Sequence, residues 1–287
     1  MNTSSLFRKK SFLNIRGALF EINKPMIMGI LNITADSFFD GGEYTNEKAQ
    51  LLRVEKMINE GADFIDIGAQ STRPGAKEID AKSEINKLNP LILSIRKNFP
   101  ETIISIDTWH SEVAKASFES GADIINDISG GQFDSKMFET IAEIQIPYIL
   151  MHTAGKPDTM QDNPQYNNVL KEVIYFMSQQ INKLNHLGVN DIIIDPGFGF
   201  GKTLEHNYQL LNKLNHFAFL EVPILVGISR KSMVYKTINS TANNALNGTT
   251  ALHMTALNQG ADILRVHDVK EAKECIRLFE NIQKSNN

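Results

Sequence analysis

Asp107, Asn126 and Asp195 each stand at or just beyond the end of a short apolar run, and Lys231, Arg265 and His267 stand at the ends of two further runs. A carboxylate accepts two parallel N–H bonds from an amidine-like edge, and a carboxamide both donates and accepts, so the first three suit a flat, nitrogen-rich ring. Arg73, Lys231, Arg265 and His267 supply the positive charge that an anionic phosphate group requires. Together these residue types point to a phosphorylated heterocycle. Taken singly, an Asp or Asn after a strand is more often a turn former or a helix cap, and Asp127, Thr108, Ser111 and Thr203 fit that reading. Met151, Phe200 and Trp109 have the equally plain option of being core residues. Two signals are set aside. The run GFGFGKT at 197–203 lacks the first glycine of a nucleotide phosphate loop, which is Pro196 here. The seven histidines form no HExxH and pair with no cysteine, which argues against zinc.

The elements that must position these groups are legible in the pattern. Eight apolar runs recur, at 26–31, 63–67, 102–106, 123–126, 147–151, 191–195, 222–227 and 262–266. Most are apolar on consecutive positions and rich in β-branched residues, as parallel strands covered on both faces are. Helical stretches lie between them, and at 165–187 Val169, Val173, Met177, Ile181 and Leu184 share one face. Glycine closes several helices just before a strand, in EGAD at 60–63, SGAD at 120–123, LGVND at 187–191 and QGAD at 259–262. Repeated strand–helix units predict an α/β fold, a (β/α)8 TIM barrel, with a doubly wound open sheet as the runner-up. Residues 1–25 read as a short hairpin-like cap closing the barrel bottom, and 26–287 as the barrel of a single domain. In such a barrel all eight strand ends open on one space, which turns scattered polar residues into a candidate site.

Composition bounds the function classes. A chain of 287 residues with 42% hydrophobic content suits one barrel, and a net charge of −4 leaves no basic footprint for nucleic acid. The lone cysteine, Cys275, forms no internal disulfide, and no targeting signal or membrane-length apolar stretch is read, so a cytoplasmic location is expected.

The strand ends then resemble one family. MGILNITADSFFDGG at 28–42, DIGAQSTRPGA at 66–76, SIDTWHSEVA at 105–114, INDISGG at 125–131, LMHTAGKPDTMQ at 150–161, DPGFGFGKT at 195–203, GISRKS at 227–232 and RVHDV at 265–269 are together similar to the dihydropteroate synthases. The resemblance implies a transferase of folate biosynthesis that joins 6-hydroxymethyl-7,8-dihydropterin pyrophosphate to p-aminobenzoate, releasing pyrophosphate by an SN1-like displacement. It implies that Asp107, Asn126, Asp195 and Lys231 bind the pterin, with Met151, Phe200 and Gly227 packing beside it, and that Asn32, Arg73, Arg265 and His267 hold the pyrophosphate. It implies further that Phe38, Thr72, Arg73, Pro74, Phe200 and Ser232 shape the p-aminobenzoate pocket, where sulfonamides compete. Asn32 and Asp40 would place Mg2+. Lys231, Arg265, His267 and Asp107 carry the catalytic roles, and a homodimer is expected. Ala35 and Ala69-Gln70 depart from the family pattern, which bears on the first two loops. The alternatives are a pterin-binding methyltransferase-type domain, disfavoured by SRKS and RVH, and a catalytically silent barrel.

Overall fold

The computed structural model describes residues 11–33, 47–70 and 78–285. It opens with an antiparallel hairpin, β1 (Ser11–Ile15) and β2 (Ala18–Ile22). Its two-residue turn takes positive φ at both Arg16 (52°) and Gly17 (79°), the backbone twist that matches a tight hairpin. Eight strands follow, β3 (Met26–Asn32), β4 (Phe64–Gly68), β5 (Ile103–Asp107), β6 (Ile124–Asp127), β7 (Tyr148–Met151), β8 (Ile192–Asp195), β9 (Leu225–Val226) and β10 (Ile263–Val266). They pair in parallel in the order β8-β7-β6-β5-β4-β3-β10-β9. A bridge between Ile194 and Ile224 joins the two ends of that order, so the sheet closes on itself as the expected barrel. The helices are α1 (Glu47–Glu60), α2 (Ala81–Asn98), α3 (Ser111–Glu119), α4 (Met137–Ile144), α5 (Val169–His186), α6 (Leu204–Asn212), α7 (Ser232–Tyr235), α8 (Leu246–Asn258) and α9 (Val269–Lys284).

Consecutive apolar residues in the strands reflect burial on both faces. Ile65, Ile67, Ile104 and Ile106 point out to the helices. Their alternates Phe64, Ile103, Ile124, Ile149, Ile193, Leu225 and Ile263 point in and form the barrel floor, plugged from below by Leu13, Ile15 and Ile22 of the hairpin. Two residues further along from these the chain has Asp66, Ser105, Asn126, Met151, Asp195, Gly227 and Arg265. The period of two therefore stacks a mostly polar layer directly on an apolar one.

The repeated helix-Gly-Ala-Asp phrase has two physical functions. Gly61, Gly121 and Gly260 take φ of 101°, 107° and 95°, the left-handed turn that stops a helix. The aspartate two residues later then caps a neighbouring strand: Ile27, Ile104 and Ile224 donate their backbone N–H to Asp63, Asp123 and Asp262 at 2.8, 2.8 and 2.9 Å. Asp123 also receives Arg16 from the hairpin and Arg96 from α2, both at 2.7 Å, which locks the cap to the barrel bottom.

Some expected boundaries move. The run 222–227 yields a strand of two residues, because Pro223 has no N–H to pair and contributes its carbonyl instead, accepting Ile194 N–H at 2.9 Å. The helix expected from 165 begins at Val169, where Asn168 accepts the Lys171 N–H at 3.0 Å as a cap. On its inner face Gln180 is the buried residue, with Ile181 beside it partly buried.

Candidate active site

The centre of the barrel mouth is a charge network around Arg265. Its Nε donates to Asp66 Oδ2 at 2.6 Å and its NH2 group to Asp107 Oδ2 at 2.7 Å, so one guanidinium spans carboxylates from two adjacent strands. Asp66 is fully buried. It accepts three further-reaching partners with one carboxylate: besides Arg265 it takes Ser105 Oγ at 2.6 Å and Asn126 Nδ2 at 3.0 Å. Burial pushes the Asp107 carboxyl upward; Arg265 opposes that shift, while the carboxylates of Asp66 and Asp127 add to it. Burial works against the Arg265 charge too, but Asp66 and Asp107 outweigh it and hold the guanidinium above its ordinary range.

Across the mouth, Asp195 and Lys231 face each other. Asp195 accepts the Gly197 N–H at 2.7 Å, and burial raises its carboxyl although Lys231 pulls it down. Lys231 Nζ donates to the Phe198 carbonyl at 2.6 Å and lies 4.5 Å from the centre of the Phe200 ring. Burial lowers its pKa to about 8 despite Asp195. Gly227 leaves the space between them clear: a Cβ there would sit 3.6 Å from Asp195 Oδ2 and 3.7 Å from Lys231 Nζ. Met151 and Phe200 pack with Trp109, Ile128 and Met160 in a small apolar cluster, separate from the main core. Met151, Phe200 and Trp109 are buried, as the plain core reading has them, in a cluster at the level of the strand ends.

The rim is tied together from β9 and β10. Ser229 Oγ accepts the His267 backbone N–H at 3.2 Å and lies 3.1 Å from His267 Nδ1. Ser229 thereby fixes the orientation of the imidazole ring, whichever of the two groups supplies the proton they share. Burial, reinforced by Arg265, lowers the His267 pKa to about 3, so the imidazole is neutral. Arg230, in a left-handed conformation at φ 55°, grips Asp268 with Nε and NH2 at 2.7 Å each. Lys202, the lysine of the apparent phosphate loop, is buried and donates to the carbonyls of Gly197 and Phe200 at 2.9 and 3.0 Å and to His152 Nδ1 at 2.9 Å. It closes its own loop from within.

The structure therefore brings Asp107, Asn126, Asp195, Lys231, Arg265, Met151, Phe200 and Gly227 to one mouth. Asn32 ends β3 at the same level: a Cβ on Gly68 would lie 3.6 Å from Asn32 Oδ1 and 3.7 Å from Asp107 Oδ2. Ser232 opens α7, directly after Lys231. Phe38, Asp40, Thr72, Arg73 and Pro74, with Ala35, lie outside the described residues. Thr203 is a helix cap, accepting the His206 N–H at 3.1 Å, and Asp127 caps the turn after β6, accepting Ser129 N–H at 2.7 Å and Gly131 N–H at 2.9 Å. The sequence reading passes over Asp66, although a charged residue inside the run FIDIG is itself a signal of buried polar work.

A barrel whose rim combines buried carboxylates, a carboxamide and paired cations is shared with known proteins. The family described as pterin binding enzyme matches residues 28–267, which defines the class of this chain. Dihydropteroate synthase of Escherichia coli K12 is 42% identical over 267 residues, covering 92% of this chain and 94% of that protein. A Yersinia pestis dihydropteroate synthase structure with a sulfonamide drug complex superposes with a TM-score of 0.91 at 39% identity, covering 96% of this chain and 100% of that one. A Xanthomonas albilineans dihydropteroate synthase with 4-aminobenzoic acid gives 0.88 at 33% identity, covering 96% and 99%. The chain belongs to the dihydropteroate synthase family, transferases of folate biosynthesis.

Proposed function

We propose that the chain, as a single barrel domain over 1–287, condenses 6-hydroxymethyl-7,8-dihydropterin pyrophosphate with p-aminobenzoate to 7,8-dihydropteroate and pyrophosphate. The observation that carries this reading is the Asp66–Arg265–Asp107 chain facing Asp195–Lys231 across a cleared centre. Asp107, Asn126 and Asp195 take the N–H edge of the pterin. Their upward-shifted carboxyls gain most from N–H donors, because a donor favours the ionised form that burial disfavours. Lys231, anchored at the Phe198 carbonyl, offers its other protons to a ring acceptor, and Met151 and Phe200 flank the ring.

The diphosphate tail would lie toward the rim, where Arg265 supplies charge and His267 an imidazole for hydrogen bonding, and Asn32 and Arg73 would complete its contacts. As the bond from the pterin methylene to the pyrophosphate oxygen breaks, negative charge grows on the leaving group. Fixed cations stabilise that charge without reorganising. The electron-deficient methylene is then captured by the aryl amine, which releases one proton to solvent as the C–N bond forms, in a pocket that Phe38, Thr72, Arg73, Pro74, Phe200 and Ser232 would shape. Sulfonamides would compete there.

Asn32 Oδ1 is a hard oxygen donor at the mouth, and among the described residues no group of three or more His, Cys, Asp or Glu could hold a metal alone. That sparse donor set fits Mg2+, which binds through one or two protein oxygens, waters and substrate phosphate. Asn32 and Asp40 would hold it, and it would supply charge neutralisation of the pyrophosphate.

We read the chain as a cytoplasmic homodimer. Among the described residues no helix is long and apolar enough to cross a membrane, and Leu278 and Ile282 of α9 stand exposed for a partner. A monomeric mass by light scattering at micromolar concentration overturns the dimer. The activity is tested with purified protein, pterin pyrophosphate, labelled p-aminobenzoate and Mg2+. Labelled dihydropteroate with equimolar pyrophosphate is expected; substrate binding without either product refutes the reading.

A further inference from the structure

The geometry points to Asp66 as a positioning residue: by holding Arg265 and Asn126 on one carboxylate oxygen, it fixes the group that faces the diphosphate relative to the group that faces the ring. The inference rests on the function proposed above. Asp66 Oδ2 accepts Arg265 Nε at 2.6 Å from β10 and Asn126 Nδ2 at 3.0 Å from β6, while Oδ1 is held by Ser105 Oγ at 2.6 Å from β5. A single side chain on β4 therefore ties together three other strands at the level of the site.

Three consequences follow from the chemistry of that carboxylate. It accepts and never donates, so the Asn126 amide must turn its NH2 toward Asp66, which leaves the Asn126 oxygen for the ligand. It takes Arg265 through Nε, which aims the terminal nitrogens elsewhere: NH2 reaches Asp107, and the outward edge of the guanidinium is left for an anion. It also places a negative charge beside Asp107, whose surroundings are Arg265, Asp66, Asp127 and Lys231. Asp66 itself is fully buried behind these partners, so it acts on the reaction through them.

Asp66→Asn keeps the shape and removes the charge. It also allows the Asn126 amide to flip, since an amide at 66 can donate where the carboxylate could not. Binding of pterin pyrophosphate is measured by calorimetry across pH 5–9, alongside kcat and the KM for p-aminobenzoate. Expected are a weakening of pterin pyrophosphate by at least about tenfold, the scale of a lost hydrogen bond to a charged group, and an unchanged KM for p-aminobenzoate. The acid limb of binding should also move to lower pH, because a like charge beside Asp107 is gone. A merely structural loss would not move that limb downward. D66N that binds within twofold of wild type, with the limb unshifted, overturns the inference. If D66N does not fold, Ser105→Ala carries the test. It frees Oδ1 while leaving the charge, and about threefold weaker pterin pyrophosphate binding with p-aminobenzoate unaffected is expected. An S105A protein identical to wild type then overturns it. Wild-type protein that fails to bind pterin pyrophosphate at all refutes the proposed function instead, which separates the two failures.

Discussion

Replacing Arg230 by alanine and by glycine separates an ion pair from the backbone that presents it. The guanidinium holds Asp268 with two bonds of 2.7 Å, and its NH1 group reaches the carbonyls of Ala242 and Asn243 at 3.0 and 2.6 Å. The two side chains are 10% and 16% exposed, so most of the cost of stranding a buried partner applies. Arg230→Ala should therefore lose about 2–4 kcal/mol, somewhat below the ~3–5 typical of a fully buried pair. Glycine loses the same contacts. However, φ at Arg230 is 55°, and a left-handed conformation costs a residue with a Cβ about 1–2 kcal/mol. Relief of that strain is offset by glycine's greater freedom in the unfolded chain, ~0.5–1 kcal/mol. Arg230→Gly should thus be more stable than Arg230→Ala by about 0.5–1 kcal/mol. Urea unfolding at unchanged m reads both differences. Because Arg230 lies between Ser229, which holds His267, and Lys231, both variants should also lower kcat. An alanine variant as stable as wild type, or a glycine variant below alanine, refutes the reasoning.

Other outcomes are expected from the buried charges. Asp195→Ala should lose about 2–5 kcal/mol of pterin pyrophosphate binding, since it leaves Lys231 facing the ring without its counter-charge; tight calorimetric binding by that variant removes Asp195 from the site. Lys231 titrates near 8, so ligand affinity should decline as pH rises through about 8, and Lys231→Arg should abolish that alkaline limb even if it binds more weakly overall. Persistence of the limb in the arginine variant would assign it elsewhere. Burial raises Glu84 from 4.5 to about 8, against the bond from Thr108, so the native state carries an extra proton between those values. Its contribution to stability is complete below pH 4.5 and is lost as pH rises to about 8, by at most about 1.4 kcal/mol per pH unit. Glu84→Gln should remove that decline, so its stability relative to wild type should climb across the interval; a constant difference in paired urea melts from pH 5 to 8 excludes the burial effect.

Local physics made much of this protein readable in one dimension. Consecutive β-branched runs such as TIISI, glycine before four of the strands, and the FLNIRGALFEI segment pointed to strands, helix stops and the hairpin, because backbone preference and burial on two faces act over a few residues. The polar character of the strand ends followed from the same runs, and so did the family resemblance. Charge states and partnerships were decided only in three dimensions. Whether His267 is cationic depends on Arg265 beside it and on burial, neither of which is local in sequence. Asp66 and Asp127 look alike as aspartates beside apolar runs, yet alternation sends Asp66 inward to Arg265, 199 residues away, and Asp127 outward to cap a turn. The parallel pairing of β10 with β3, β3 with β4 and β4 with β5 is what brings such distant groups within 3 Å of each other, and electrostatic coupling at that range in the buried interior outweighs any preference the isolated segments carry.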